Sequence, residues 1–68
     1  MIPKNVRIEK GAWVGSFAIL YNCTISEGCV VSVGSVVANQ CLEPWTMVEG
    51  NPARVIARFI DGKWRGER

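Results

Sequence analysis

Residues 2–42 read IPKNVR, IEKGAW, VGSFA, ILYNCT, ISEGCV, VSVGSV and VANQCL, a ladder of six-residue rungs with one rung a residue short. Each rung opens on a β-branched aliphatic residue: Ile2, Ile8, Val14, Ile19, Ile25, Val31 or Val37. The fifth place holds Val6, Ala12, Ala18, Cys23, Cys29, Ser35 or Cys41, side chains small enough for a narrow interior. A helix repeats near 3.6 residues and a half-exposed strand near 2, so a period of six fits neither. Self-similarity at a fixed short period is the mark of a stacked architecture.

Short strands joined by tight corners, wound so that every third rung lies over the first, satisfy this pattern as a parallel β-helix. Rung-opening and fifth residues then point inward. The expected stacks are Ile2 over Ile19 over Val37, Ile8 over Ile25, and Val14 over Val31, with Val6, Cys23 and Cys41 in the second interior layer. Corners belong at Lys10-Gly11, Glu27-Gly28 and Val33-Gly34, where glycine permits a left-handed turn, and at Asn22, which tolerates one. The short rung predicts a distorted corner at Phe17, with its ring turned outward or else inserted to widen the core locally.

The pattern stops after Leu42, which divides the chain into residues 1–42, the repeat region, and residues 43–68, an exit loop and C-terminal segment of the same domain. Glu43-Pro44-Trp45 reads as the exit loop and Thr46-Met47-Val48 as a short extended segment. Glu49-Gly50-Asn51-Pro52 reads as a turn, with Asn51 as a cap and Pro52 at a first helical position. Val55, Ile56, Phe59 and Ile60 form a helical stripe from Ala53 onward. Past Ala57 the choice stays open: Asp61-Gly62 either stops a helix or turns a hairpin that pairs Phe59-Ile60 with Lys63-Trp64. Gly66-Glu67-Arg68 reads as a frayed tail. The fold class is all-β: a short parallel β-helix of about two coils with a short C-terminal helix or hairpin.

Sixty-eight residues make one small domain, and 49% of them are hydrophobic, more apolar surface than so short a chain readily hides. Other copies of the chain are the natural cover. A net charge of +2 without a basic run gives nucleic acid little to bind and argues against a membrane-surface role. No apolar stretch approaches a spanning length, and a cytoplasmic protein is expected. Three cysteines in rung-internal places suit reduced, buried thiols rather than a metal site or a redox pair.

The ordered blocks Gly11-Ala12-Trp13-Val14-Gly15-Ser16, Thr24-Ile25-Ser26-Glu27-Gly28, Val33-Gly34-Ser35-Val36-Val37, Pro44-Trp45-Thr46 and Gly50-Asn51-Pro52-Ala53-Arg54-Val55-Ile56 resemble the hexapeptide-repeat acyltransferases. The resemblance implies a left-handed parallel β-helix and is nearest to the C-terminal part of acetyltransferases of the galactoside, maltose or colanic-acid type. It further implies a homotrimer with acetyl-CoA lying between neighbouring prisms. Carried over by position, Ser16, Val33 and Gly34 would meet the pantetheine arm, and Ala38 and Asn39 would sit near the adenosine. Gly50, Asn51, Pro52, Ala53 and Arg54 would flank the nucleotide or its phosphate. Each has a plainer rival: residues 50–53 as a turn releasing the chain, Arg54 and Arg58 as solvated charges, Trp13 and Trp45 as packing or interface residues.

Two departures stand against turnover by this chain alone. Acetyl transfer to a hydroxyl or amine needs a general base, which the resemblance assigns to an upstream histidine; the chain has no histidine. Ala38-Asn39 also stands where the family carries a Thr-Lys pair, which removes a cation from the expected phosphate region. No catalytic residue and no metal ligand is therefore assigned. The expectations are a truncated or minimal acetyltransferase with weak CoA binding, or a non-catalytic β-helix that assembles with itself or with a longer β-helix relative.

Overall fold

The computed structural model describes residues 5–66, and those residues form nine strands and no helix. They are β1 (Val6–Ile8), β2 (Trp13–Val14), β3 (Ile19–Tyr21), β4 (Cys23–Ile25), β5 (Val30–Val31), β6 (Val36–Ala38), β7 (Thr46–Gly50), β8 (Ala53–Ile60) and β9 (Lys63–Gly66). The first seven wind as a triangular coil. β1 pairs in parallel with β4, β2 with β5 and then β7, and β3 with β6. Stacked residues such as Asn22 and Asn39 are 17 apart, one full coil. A bridge between Thr24 and Cys41 carries the first face into its third layer.

The left-handed corners repeat with the same coil. Gly11, Gly28 and Trp45 share one corner, Phe17 and Gly34 the second, Asn22 and Asn39 the third, all with positive φ. The expected corners at Gly11, Asn22, Gly28 and Gly34 are present. Phe17 turns outward, at 89% exposure. At Gly28 the reason for glycine is spatial as well as conformational, because a Cβ there would lie 2.4 Å from the Trp45 ring.

Inside, Ile8 lies under Ile25 and Val14 under Val31, as the rungs predict. The third face differs. Leu20, not Ile19, is paired with Val37, while Ile19 pairs with Val36 and points outward. The five-residue steps therefore fall at the Asn22 and Asn39 corners rather than at Phe17: an asparagine corner turns the chain in fewer residues, and every face assignment between the two placements shifts by one. Ile2, the expected base of this stack, lies outside the described residues.

The same step corrects the second interior layer. Because Cys41 pairs with Thr24, the residue over Cys23 is Gln40, and Cys41 is exposed rather than inward. Nor does the coil stop after Leu42. Leu42 is buried, its N–H bonds the carbonyl of Thr24, and Val48 pairs with Val31. Ile25, Val31, Val37 and Val48 are sealed completely, each worth about 1.5–3 kcal/mol of transfer free energy. Buried hydroxyls are all engaged: Thr46 donates to the Glu43 carbonyl at 2.8 Å and Ser26 to that of Leu42.

The C-terminal segment is a hairpin, not a helix. β8 runs antiparallel to β7, and β9 antiparallel to β8, so that Phe59 faces Trp64 and Ile60 faces Lys63 across the Asp61-Gly62 turn. Residues 50–53 form the tighter turn between β7 and β8, with a cis peptide at Asn51-Pro52, so Asn51 caps no helix and Pro52 opens none. The physical reason lies in β7, whose outer edge would otherwise be unpaired. Alternation suits that edge: Ala53 and Ala57 are buried while Arg54 is exposed. Gly66 belongs to β9, and the rest of the expected tail, Glu67 and Arg68, lies outside the described residues.

Candidate functional site

The ten residues that the resemblance singles out fall at three places around the face formed by β3 and β6. Ser16, Val33 and Gly34 occupy the corner at one end of this face. Both Ser16 and Val33 are exposed, and the Gly34 N–H donates to the Ser16 carbonyl at 2.9 Å, so those two backbone groups are engaged with each other. Ala38 and Asn39 sit at the opposite end. There the Asn39 side-chain oxygen accepts from the Asn22 amide at 2.8 Å, and its N–H donates to Tyr21.

The turn of Gly50, Asn51, Pro52 and Ala53 closes the third side. Gly50 N–H donates to the Ser35 hydroxyl at 3.2 Å, and the Gln40 side-chain amide donates to the Ala53 carbonyl at 3.3 Å. These two bonds tie the turn to both corners, so the set brackets one face. Arg54 follows on β8, exposed and opposite Glu49. Between the corners, the outer surface of the face carries Ile19 at 59% exposure, flanked by Phe17 and Val33. It is a narrow apolar strip with polar corners.

Three features, at this face and at the corner over Gly28, are not picked out by the rungs. Gln40 and Ser35 anchor the turn, yet each reads as an ordinary rung residue; the coil spacing from Asn22 to Asn39 is the signal that would have placed Gln40 inside. An aromatic series, Trp45 to Phe59 at 5.4 Å and Phe59 to Trp64 at 5.2 Å, joins the corner over Gly28 to the hairpin. Beside it Arg58 pairs with Glu43 at 2.6 Å. Trp13, by contrast, is exposed.

A groove of about 610 Å³ runs along the Asn5, Asn22 and Asn39 corner onto the outer surface of β1 and β4. Of the ten candidates it includes Asn39 alone. Cys41 and Cys23 both line it; Cys41 is exposed, whereas Cys23 is buried, with its thiol pKa raised by burial, an effect partly opposed by a hydrogen bond with the backbone of Tyr21. Among the described residues no three of His, Cys, Asp and Glu converge on a metal position.

With this geometry in hand, the chain compares with several solved structures. A hexapeptide-repeat acetyltransferase of Vibrio cholerae O1 biovar eltor, complexed with acetyl-CoA, is 37% identical, with a TM-score of 0.79 over 85% of this chain and 32% of its own. A maltose O-acetyltransferase of Clostridium difficile 630 is 34% identical, with a TM-score of 0.77 over 85% of this chain and 31% of its own. The Bacillus cereus N-acyltransferase AntD, in complex with dTDP and coenzyme A, is 31% identical, with a TM-score of 0.72 over 78% and 29%. No family model and no curated protein matches. The structural neighbours are thus hexapeptide-repeat acyltransferases, the family that the rungs resemble, and the fold is their left-handed parallel β-helix. The chain spans about a third of the length of these relatives.

Proposed function

We propose that the chain is a truncated or minimal hexapeptide-repeat acetyltransferase that keeps one wall of an acetyl-CoA groove. The observation that carries this reading is the bracketing of a single face by all ten candidate residues, with exposed apolar surface between them. Two of the neighbours hold CoA or its acetyl ester, which adds weight. Acetyl-CoA would supply an activated acetyl thioester, with CoA as the leaving thiol. Ser16 and Val33 would flank the pantetheine arm, Ala38 and Asn39 the adenosine, and the turn of Gly50, Asn51, Pro52 and Ala53 would stand with Arg54 beside the phosphates.

One wall binds weakly, and a homotrimer is the arrangement that would supply the other, covering Phe17, Ile19 and Val33 at the same time. The chain contributes no histidine, so turnover requires a base from another chain or segment. Three free thiols suit a reducing compartment, and the cytoplasm is the proposed location, with neither nucleic acid nor membrane as a partner. Titration calorimetry with CoA, alongside sedimentation equilibrium, tests the reading. Weak binding by a trimer, abolished by Val33→Asp, is expected; no heat at millimolar CoA, or a monomer at all concentrations, overturns it.

A second reading, a non-catalytic module that assembles with itself, is favoured by one feature: the first coil leaves Ile8 53% exposed.

A further inference from the structure

The outer face of the five-stranded sheet gathers most of the aromatic residues of this chain. The sheet, ordered β2, β5, β7, β8 and β9, directs Val14, Val31 and Val48 into the coil, so the residues that alternate with them look outward. One outward row runs Trp13, Val30, Met47, Ala57 and Gly66 across all five strands. Beside it a second row runs from Gly11 and Gly28 at the corner through Trp45, whose ring lies on Gly28, to Phe59 and Trp64. Neither row holds a charged residue. All three tryptophans of the sequence stand on this one face, Trp13 at 56%, Trp45 at 44% and Trp64 at 36% exposure. The face looks sideways from the coil, across the direction in which coils stack, so it is set by the strands themselves and by neither end.

A contiguous apolar patch of this kind marks a surface that another molecule covers. Its two borders are unlike and match each other. Along one border project Phe17 and Val33, 89% and 64% exposed. Along the other lie Gly11 and Gly28, the second already bedding an aromatic ring. Phe17 and Gly11 belong to the first coil, Val33 and Gly28 to the second, so each projection is level with a glycine. β8 repeats the scheme in charge: Arg54 stands at the first border and Asp61, past the end of the strand, at the second, both exposed.

Borders that differ in this way fit head to tail, and a head-to-tail contact closes into a ring by rotation. The corner residues 11, 17, 22 and 28 are nearly evenly spaced, so the coil is close to an equilateral prism. Three such faces set corner to corner enclose a triangular space like the interior of the coil itself. On a scale of about 200 Å² for a whole aromatic side chain, the exposed parts of these residues come to roughly 600 Å² per copy, close to the ~800 Å² per partner of a stable interface.

We propose that three copies of the chain meet through this face, with Trp13, Met47 and Phe59 turned toward a three-fold axis parallel to the coil, Phe17 seated on Gly11 of the next copy and Arg54 beside its Asp61. The inference rests on the proposed trimer and assigns the surface that makes it. The face of β3 and β6 then lies on the outside of the ring, beside the seam between two copies.

Because every tryptophan lies on the face, the native protein reports on it directly. On dilution, emission of the wild-type chain should move to longer wavelength over the same concentrations at which the sedimenting mass falls from trimer to monomer. Trp13→Glu sets three carboxylates around the axis and should sediment as a monomer, with the circular dichroism of the coil intact. Asp61→Arg brings two cations together at each seam and should weaken association about tenfold or more, whereas the double variant R54D/D61R restores the opposite-charge pairs and should regain the trimer. A wild-type trimer whose emission is indifferent to dissociation, a Trp13→Glu chain that stays trimeric, or a double variant no better associated than Asp61→Arg overturns this placement and leaves the trimer itself standing. A wild-type monomer at all concentrations overturns both.

Discussion

Gly15→Ala is the substitution on which the stacking of the coils can be judged most directly. Gly15 is buried, and a Cβ built on it would lie 2.6 Å from the backbone nitrogen of Val33 and 2.9 Å from its Cα, in the coil above. The obstacle is backbone, which cannot rotate aside. Restoring an ordinary contact of 3.4 Å or more means parting the coils where Gly15 N–H meets Val31 at 2.8 Å and Gly34 N–H meets Ser16 at 2.9 Å. Losing one or two such bonds costs about 1 kcal/mol each, and the overpacking about 1–3 kcal/mol more. The total, about 2–5 kcal/mol, is a large part of what a domain this small possesses, on the order of 3–10 kcal/mol. Gly34→Ala is the control. Nothing lies within 4 Å of its Cβ position, and only its φ of +73° opposes a side chain, at about 1–2 kcal/mol. Urea unfolding followed by tryptophan fluorescence, at one fixed protein concentration, should rank Gly15→Ala well below Gly34→Ala, and Gly34→Asn above both. A Gly15→Ala midpoint within about 0.5 kcal/mol of wild type would refute the close approach of the coils.

Further outcomes follow from the corrected register and from the thiols. Leu20→Ala should cost about 2–3 kcal/mol and Ile19→Ala less than about 1 kcal/mol in the same urea assay, the reverse of what the rungs predict. Iodoacetamide followed by mass spectrometry should label Cys41 first, with Cys23 and Cys29 modified only on unfolding, because the last two are buried. Burial raises the Cys23 pKa, so the neutral thiol is the form that the fold favours. Its contribution to stability is full below the ordinary thiol pKa and falls as pH rises toward the folded value; Cys23→Ala should flatten that alkaline decline in a pH series of urea midpoints. Gln40→Leu removes the bond to Ala53 and should cost about 1 kcal/mol, read as faster exchange of amide hydrogens across residues 50–55.

Much of this molecule can be read from its residues. The six-residue period, the glycine and asparagine corners, and the stacks of Ile8 with Ile25 and Val14 with Val31 follow from side-chain size, branching and backbone tolerance, which are local properties. The candidate site is legible to the extent that its ten residues lie on corners and a turn. That they surround one face depends on the bonds from Ser35 to Gly50 and from Gln40 to Ala53, contacts over more than a dozen residues that no local pattern records.

The sequence by itself therefore determined the kind of architecture: a coil of short strands with a thin aliphatic interior and an apolar surface larger than one small chain can cover. Tertiary structure decided the register and the ending. Ile19 and Leu20 are both aliphatic, and which of them enters the core depends on the corner at which the ring shortens; a slip of one residue exchanges the two faces of a strand. Residues 53–60 carry a stripe compatible with a helix, but the open edge of β7 offers them backbone partners, and pairing there completes the sheet. Both choices are settled by long-range hydrogen bonding, whose energy belongs to a pair of distant segments and to neither alone.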